Sequence, residues 1–233
     1  MNRPVKALAY TAESLIDFIY PAVCFVCRER IPLEHRIICP DCWEKLPRNT
    51  HNVLASGDKA ISAGKRWFSF VAWRFVYSDE MRELIHHFKF NGFSRLRYPL
   101  GSEMSETVLG HQELNTADMI IAVPLHRARL RERGYNQSLL LARSVSEHTH
   151  IPVIEVLERI KNTLPQATFE TAEDKIWNVR GIFTVKNPKT VQGKRIILVD
   201  DIFTTGATAN ECSKTLAGAG AREIMVVTAA YAG

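Results

Sequence analysis

The sequence predicts an α/β protein: a parallel sheet flanked by helices, with a small cysteine-rich module at its N-terminal end. Three observations predict this. The run Ile196-Ile-Leu-Val-Asp-Asp-Ile-Phe-Thr-Thr-Gly-Ala-Thr208 begins with four apolar residues and then presents two adjacent aspartates and a Thr/Gly turn. A strand that is apolar on both faces belongs in a sheet covered by helices on both sides. From Ala117 onward, strand-like and helix-like segments alternate, as in parallel α/β sheets. Before all of this stand Cys24-Phe-Val-Cys27 and, after eleven residues, Cys39-Pro-Asp-Cys42.

Taken in order, residues 1–22 read as a helix with Leu8, Leu15, Phe18 and Ile19 on one stripe, ended by Pro21. The two Cys-x-x-Cys pairs can supply four thiolates in a tetrahedron, a closed structural zinc site formed by Cys24, Cys27, Cys39 and Cys42. Arg28, Arg30, His35, Arg36 and Lys45, with Phe25 and Trp43 among them, make this module basic and aromatic, a composition that suits single-stranded nucleic acid as well as a solvated face. The polar stretch 49–66 reads as a linker, so the expected organisation is a helix and zinc module over 1–48, a linker over 49–66 and an α/β domain over 67–233.

In that domain Trp67 to Val76 is aromatic and β-branched, hence strand, and Ser78 to Phe90 has helical spacing up to the stop signal Asn91-Gly92. Met119–Val123, Val153–Leu157, Ile182–Val185, Ile196–Val199 and Ile224–Thr228 read as strands, and Leu139–Glu147 as helix. Between Arg159 and Arg180 lies a long polar connection of the kind that forms lids and binding loops. The segment after Ala207 reads as a helix up to the glycines Gly218 and Gly220.

Composition excludes little. The chain has 233 residues, 46% hydrophobic and 24% charged, which is ordinary for a soluble globular protein. Its net charge of +5 suits a polyanionic partner. No apolar run of about 18 residues predicts a membrane span, and no secretory signal is recognisable, so the expected compartment is the cytoplasm, where a cysteine cluster more often means metal than disulfide.

The chemistry concentrates at the carboxyl end of the Ile196 strand. Asp200 and Asp201 can receive sugar hydroxyls, and the backbone amides from Thr204 through Thr205, Gly206 and Ala207 to Thr208 can receive a phosphate, Gly206 permitting close approach. Thr205 or Thr208 would also serve as the N-cap of the following helix. A second cluster, Arg127, Arg129, Arg131 and Arg133, puts four arginines within seven residues, a candidate strip for a phosphate backbone.

The run from Ile196 to Thr208 resembles the PRPP-binding loop of type I phosphoribosyltransferases. The paired Cys-x-x-Cys module, Val123-Pro-Leu-His126, Arg131-Glu-Arg-Gly-Tyr-Asn-Gln137, Thr163-x-x-Gln166 and Asn178-Val-x-Gly-x-Phe183 narrow the resemblance to the ComF/GntX (ComFC) family of competence-related bacterial proteins, from about Leu15 to the C-terminus. The resemblance implies a phosphoribosyltransferase-like domain in which Asp200 and Asp201 hold the ribose hydroxyls of 5-phosphoribosyl-1-pyrophosphate (PRPP), with magnesium on the diphosphate. It places Leu125, His126 and Arg127 in the pyrophosphate loop, and it makes the Arg159–Arg180 connection a closing loop whose Lys161 would meet the leaving pyrophosphate. The family pattern Lys-aromatic-x-Gly also falls on Lys89, which otherwise reads as a charge favourable to the end of its helix.

Two functions follow as expectations. One is a PRPP-binding protein of natural transformation that handles incoming single-stranded DNA on the cytoplasmic side, at the inner face of the membrane through competence-machinery partners, with Arg129, Arg131 and Arg133 on the strand. The alternative is an active phosphoribosyltransferase of nucleotide metabolism whose acceptor no segment announces.

Overall fold

The computed structural model describes residues 21–32, 37–49, 53–54, 65–164, 168–169 and 171–232. The expected N-terminal helix, His35, Arg36, Gln166 and most of the 49–66 stretch lie outside the described residues. The chain divides into two compact units, Met1–Pro47 and Arg48–Gly233.

In the first unit Val23 bridges Arg30 across a tight turn, in which Arg28 takes the left-handed conformation at φ 64°. A short helix, α1 (Pro40–Glu44), starts at Cys39 and has proline in its first turn, where a missing N–H costs nothing. Among the described residues of this unit Cys24, Ile31, Ile37, Ile38 and Leu46 are buried.

The second unit is built on a five-stranded sheet. Its elements run β1 (Val53–Leu54), β2 (Val71–Val76), α2 (Asp79–Phe90), α3 (Arg97–Gly110), α4 (Gln112–Asn115), β3 (Met119–Ala122), α5 (Arg127–Arg133), α6 (Gln137–Thr149), β4 (Leu157–Arg159), α7 (Ala172–Val179), β5 (Phe183–Val185), α8 (Pro188–Val191), β6 (Arg195–Phe203), α9 (Ala207–Gly218) and β7 (Glu223–Tyr231). The sheet order is β1-β2-β7-β6-β3. β2, β7, β6 and β3 are parallel, and β1, within the stretch read as a linker, adds antiparallel to β2. β6 and β7 are central, and Ile196, Ile197, Leu198, Val199, Val226 and Val227 are buried, as expected of strands covered on both faces. Among the described residues no helix is long and apolar enough to cross a membrane.

Several elements differ from expectation. β6 does not stop at Val199 but continues through both aspartates, because β7 keeps pairing beside it, Asp200 with Thr228 and Phe203 with Tyr231. The segment read as a strand over Val153–Leu157 makes only one parallel bridge, Val153 to Ile120; Pro152 has no N–H to extend a ladder. The strand then forms later, and β4 pairs antiparallel with β5 as a separate two-stranded sheet. The Arg159–Arg180 connection contains α7, whose N-cap Thr171 accepts from the Asp174 amide while Asp174 accepts from the Thr171 hydroxyl. α3 has no counterpart in the sequence reading. It is buried along one face at Leu100, Gly101, Met104, Ser105, Thr107 and Val108, but half of that face is glycine, serine and threonine, so hydrophobicity alone does not mark it. A Cβ at Gly101 would lie 2.3 Å from the Ser144 Cβ, so this glycine is what lets α3 and α6 cross closely.

Candidate functional site

Successive side chains of a strand point to opposite faces, so the two aspartates at the end of β6 meet different partners. β3 pairs with β6 only as far as Val199 and leaves the acids beyond its end. Asp200, half-buried, accepts hydrogen bonds at Oδ1 from the Ser138 hydroxyl at 2.8 Å and from the Asp201 amide at 2.9 Å. Burial, and next the charge of Asp201, push its carboxyl up to about 7, against the pull of Lys89 and the two hydrogen bonds. Asp201 is buried. An unpaired buried carboxylate is costly, and Lys89 Nζ meets it at 2.9 Å. Its second oxygen, Oδ2, is buried without a hydrogen-bond partner among the described residues.

The turn that follows is held by one glycine. Gly206 has φ 73°, and a Cβ there would come 2.6 Å from the Phe203 ring. It is also the N-cap of α9, with no side-chain cap hydrogen bond. The alternative role of Thr205 or Thr208 as cap is therefore not taken, and the positive end of a 12-residue helix faces the acid pair's end of the sheet.

The acids, Thr204 and Thr208 line one cleft of about 490 Å3, together with Pro124 and Leu125 from the loop after β3. A smaller recess of about 30 Å3 lies against Thr204, Gly206, Ala207 and Thr208. Six basic side chains line the larger cleft: Arg82, Lys89, Arg129, Arg133, Arg159 and Lys175.

The arginine strip divides. Residues four apart share a helix face, so Arg129 and Arg133 turn into the cleft while Arg127 and Arg131 are exposed outside its lining. Burial lowers the Arg133 guanidinium, and the charge of Asp201 works against that fall. His126 is occupied as the N-cap of α5, its Nδ1 accepting from the Ala128 amide at 3.3 Å, and it is not in the lining. Lys161 is exposed and outside the lining; Arg159, from β4, reaches the cleft instead.

The residues Tyr135-Asn136-Gln137 act as a clip. The Tyr135 hydroxyl donates to the Phe88 carbonyl in the last turn of α2. Asn136 caps α6 and donates to the Val123 carbonyl at 3.1 Å. Gln137 accepts from Arg133 at 2.5 Å. One short motif thus ties together the helix that carries Lys89, the loop after β3 and the turn that carries Ser138. Ser138, Arg159 and Arg82 were not singled out from the sequence. A serine or arginine at such spacing carries no local signal, although the Asn136 cap foretells that Ser138 sits in the first turn of a helix.

In the first unit the Sγ atoms of Cys24, Cys27, Cys39 and Cys42 all lie within 4.8 Å of one another, with Cys27 and Cys39 at 3.9 Å. Tetrahedral zinc–thiolate bonds of about 2.3 Å would set neighbouring sulfurs about 3.8 Å apart. The Cys39 and Cys42 amides point at the Cys24 and Cys39 sulfurs, each at 3.4 Å. Burial and the three neighbouring thiols push Cys42 up to about 12. Crowded thiols resist ionising together unless a cation joins them, and the donor set fits structural zinc.

Residues 15–53 match the family described as double zinc ribbon domain. DNA utilization protein YhgH of Escherichia coli is 30% identical over 224 residues, covering 88% of this chain and 95% of that protein. Competence protein F of Haemophilus influenzae is 35% identical over 159 residues, covering 64% and 67% respectively. Among solved structures, the glutamine PRPP amidotransferase of Bacillus subtilis in complex with ADP and GMP matches at a TM-score of 0.38 and 21% identity, over 57% of this chain and 25% of that one.

Proposed function

The chain belongs to the ComF family, with DNA utilization protein YhgH and competence protein F, and from that premise we propose that its cleft binds PRPP with magnesium while the protein handles single-stranded DNA on the cytoplasmic side during DNA uptake. One observation carries the ligand: Asp200 and Asp201 at the end of β6, with Thr204 and Thr208 from the turn after it, line a single cleft with six basic side chains. The 5-phosphate would sit on the first amides of α9. The ribose hydroxyls would take the carboxylates, Asp200 being the more exposed of the two. Lys89, Arg129, Arg133 and Arg159 would face the diphosphate. A magnesium ion suits the same carboxylates and, when bound, would neutralise the diphosphate.

Phosphoribosyl transfer to an acceptor is the second reading. It is favoured by the apolar and aromatic side chains Ile85, His86, Phe90 and Leu164, which line the cleft along with its charged groups. The test is calorimetric titration of PRPP with magnesium into the zinc-loaded protein, with and without single-stranded DNA. Magnesium-dependent binding that disappears in Asp200→Asn with Asp201→Asn, in a variant with unchanged circular dichroism, supports the ligand. Equal affinity in that variant removes it. Release of pyrophosphate only on addition of a candidate acceptor would bring the second reading forward.

A further inference from the structure

We propose that Phe90 is a stacking platform for a nucleobase, so that the cleft accepts a whole nucleotide unit rather than a bare sugar phosphate. The inference deepens the reading of the cleft as a phosphoribosyl site and rests on it. Phe90 is the last residue of α2, follows Lys89 directly, and lines the same cleft as the acid pair. The residue is 60% exposed, a large hydrophobic side chain left open in a strongly basic cleft. The Arg133 guanidinium lies 4.9 Å from the ring centroid and is itself held by Gln137 at 2.5 Å. The His86 ring flanks Phe90 at 5.0 Å between centroids.

These neighbours make a supported, preoriented ring rather than a loose side chain. Tyr135 adds to this, since it fixes the last turn of α2 through the Phe88 carbonyl. Six cations against two carboxylates select a ligand with several phosphate charges. An aromatic face next to them selects a flat ring on the same ligand, because every base has a π-face and stacking is indifferent to its identity. Anion, diol and planar ring together describe a nucleotide, either free or as a unit of a single strand.

The experiment measures the gain from a base. Ribose 5-phosphate and adenosine 5′-monophosphate are titrated into the zinc-loaded wild-type protein and into Phe90→Ala, Phe90→Leu and Phe90→Trp. A ten-nucleotide oligothymidylate is titrated beside an abasic oligomer of the same length. The base should improve wild-type affinity at least fivefold, Phe90→Ala and Phe90→Leu should lose most of that gain, and Phe90→Trp should keep it. Loss confined to the monophosphate pair identifies a free nucleotide as the ligand, and loss confined to the oligomer pair identifies a strand; either supports the platform. No gain from the base in the wild type, or the same gain in Phe90→Ala and Phe90→Leu, overturns it. Wild-type protein that binds neither ribose 5-phosphate nor PRPP would instead sink the phosphoribosyl reading on which the platform rests, and with it the platform.

Discussion

Lys89 Nζ lies 2.9 Å from Asp201 Oδ1, and the Asp201 side chain is only 5% exposed. The lysine comes from the end of α2, the aspartate from the end of β6, and no local sequence signal joins them. Removing one member of such a pair leaves a buried charge unmatched. Lys89→Met should therefore destabilise the larger unit by about 2–3 kcal/mol, with allowance for the partial exposure of the lysine. Lys89→Met combined with Asp201→Asn should recover much of that loss. Urea unfolding of the single and double variants checks this; a double variant no more stable than Lys89→Met would show that the pair is not what costs the stability.

Asp200 sets a pH dependence with two opposite senses. Burial and the Asp201 charge raise its carboxyl from 3.8 to about 7. For folding, a carboxyl raised in the native state contributes fully below its ordinary value, and that contribution is lost as pH rises towards 7. For a ligand that needs the carboxylate charged, the sense reverses. Magnesium-dependent PRPP affinity should rise about tenfold between pH 6 and pH 8, and Asp200→Asn should flatten the profile. Calorimetry at three pH values decides it, and a wild-type profile as flat as the variant's would contradict the assignment.

Gly206 combines φ 73° with a prospective Cβ only 2.6 Å from the Phe203 ring. Gly206→Ala should cost about 1–3 kcal/mol and distort the first turn of α9. A loss of PRPP affinity larger than the loss of stability would place the ligand at that turn, whereas a thermal melt and affinity matching the wild type would show that the turn tolerates the side chain.

Zinc removal should act on one unit only. Chelation is expected to unfold residues 22–45, because in a small metal-held module the binding free energy of the metal is folding free energy, while the unit beginning at Arg48 keeps its own cooperative melt. Calorimetric scans with and without chelator read this directly. A single transition lost across the whole chain would contradict it.

The arginines divide by face. Arg129→Glu with Arg133→Glu should weaken single-strand binding and reduce its salt slope by about 1.4, two phosphate contacts' worth. Arg127→Glu with Arg131→Glu should change it less. The reverse order would put the strand on the outer face of α5, away from the cleft.

The sequence alone determined whatever is encoded within a few residues of chain. Cys24, Cys27, Cys39 and Cys42 announce their cluster because metal-ligand spacing is local. The Ile196–Thr208 run announces a buried strand, two acids and a glycine turn because strand burial and positive φ each demand particular residue types. What only the tertiary structure decided was which distant side chains reach that run. Lys89, Ser138 and Arg159 stand 112, 62 and 41 positions before Asp201, Asp200 and Asp200 respectively, and their approach depends on how α2, α6 and β4 are placed around the end of β6. The continuation of β6 through the aspartates follows from pairing with β7, since aspartate has no strand preference of its own. α3 stayed illegible because Gly101, Ser105 and Thr107 share its one buried face with Leu100, Met104 and Val108, and so dilute the hydrophobic stripe. The strip of four arginines looked uniform in one dimension, and only the 3.6-residue turn of α5 separated the pair that faces the cleft from the pair that does not.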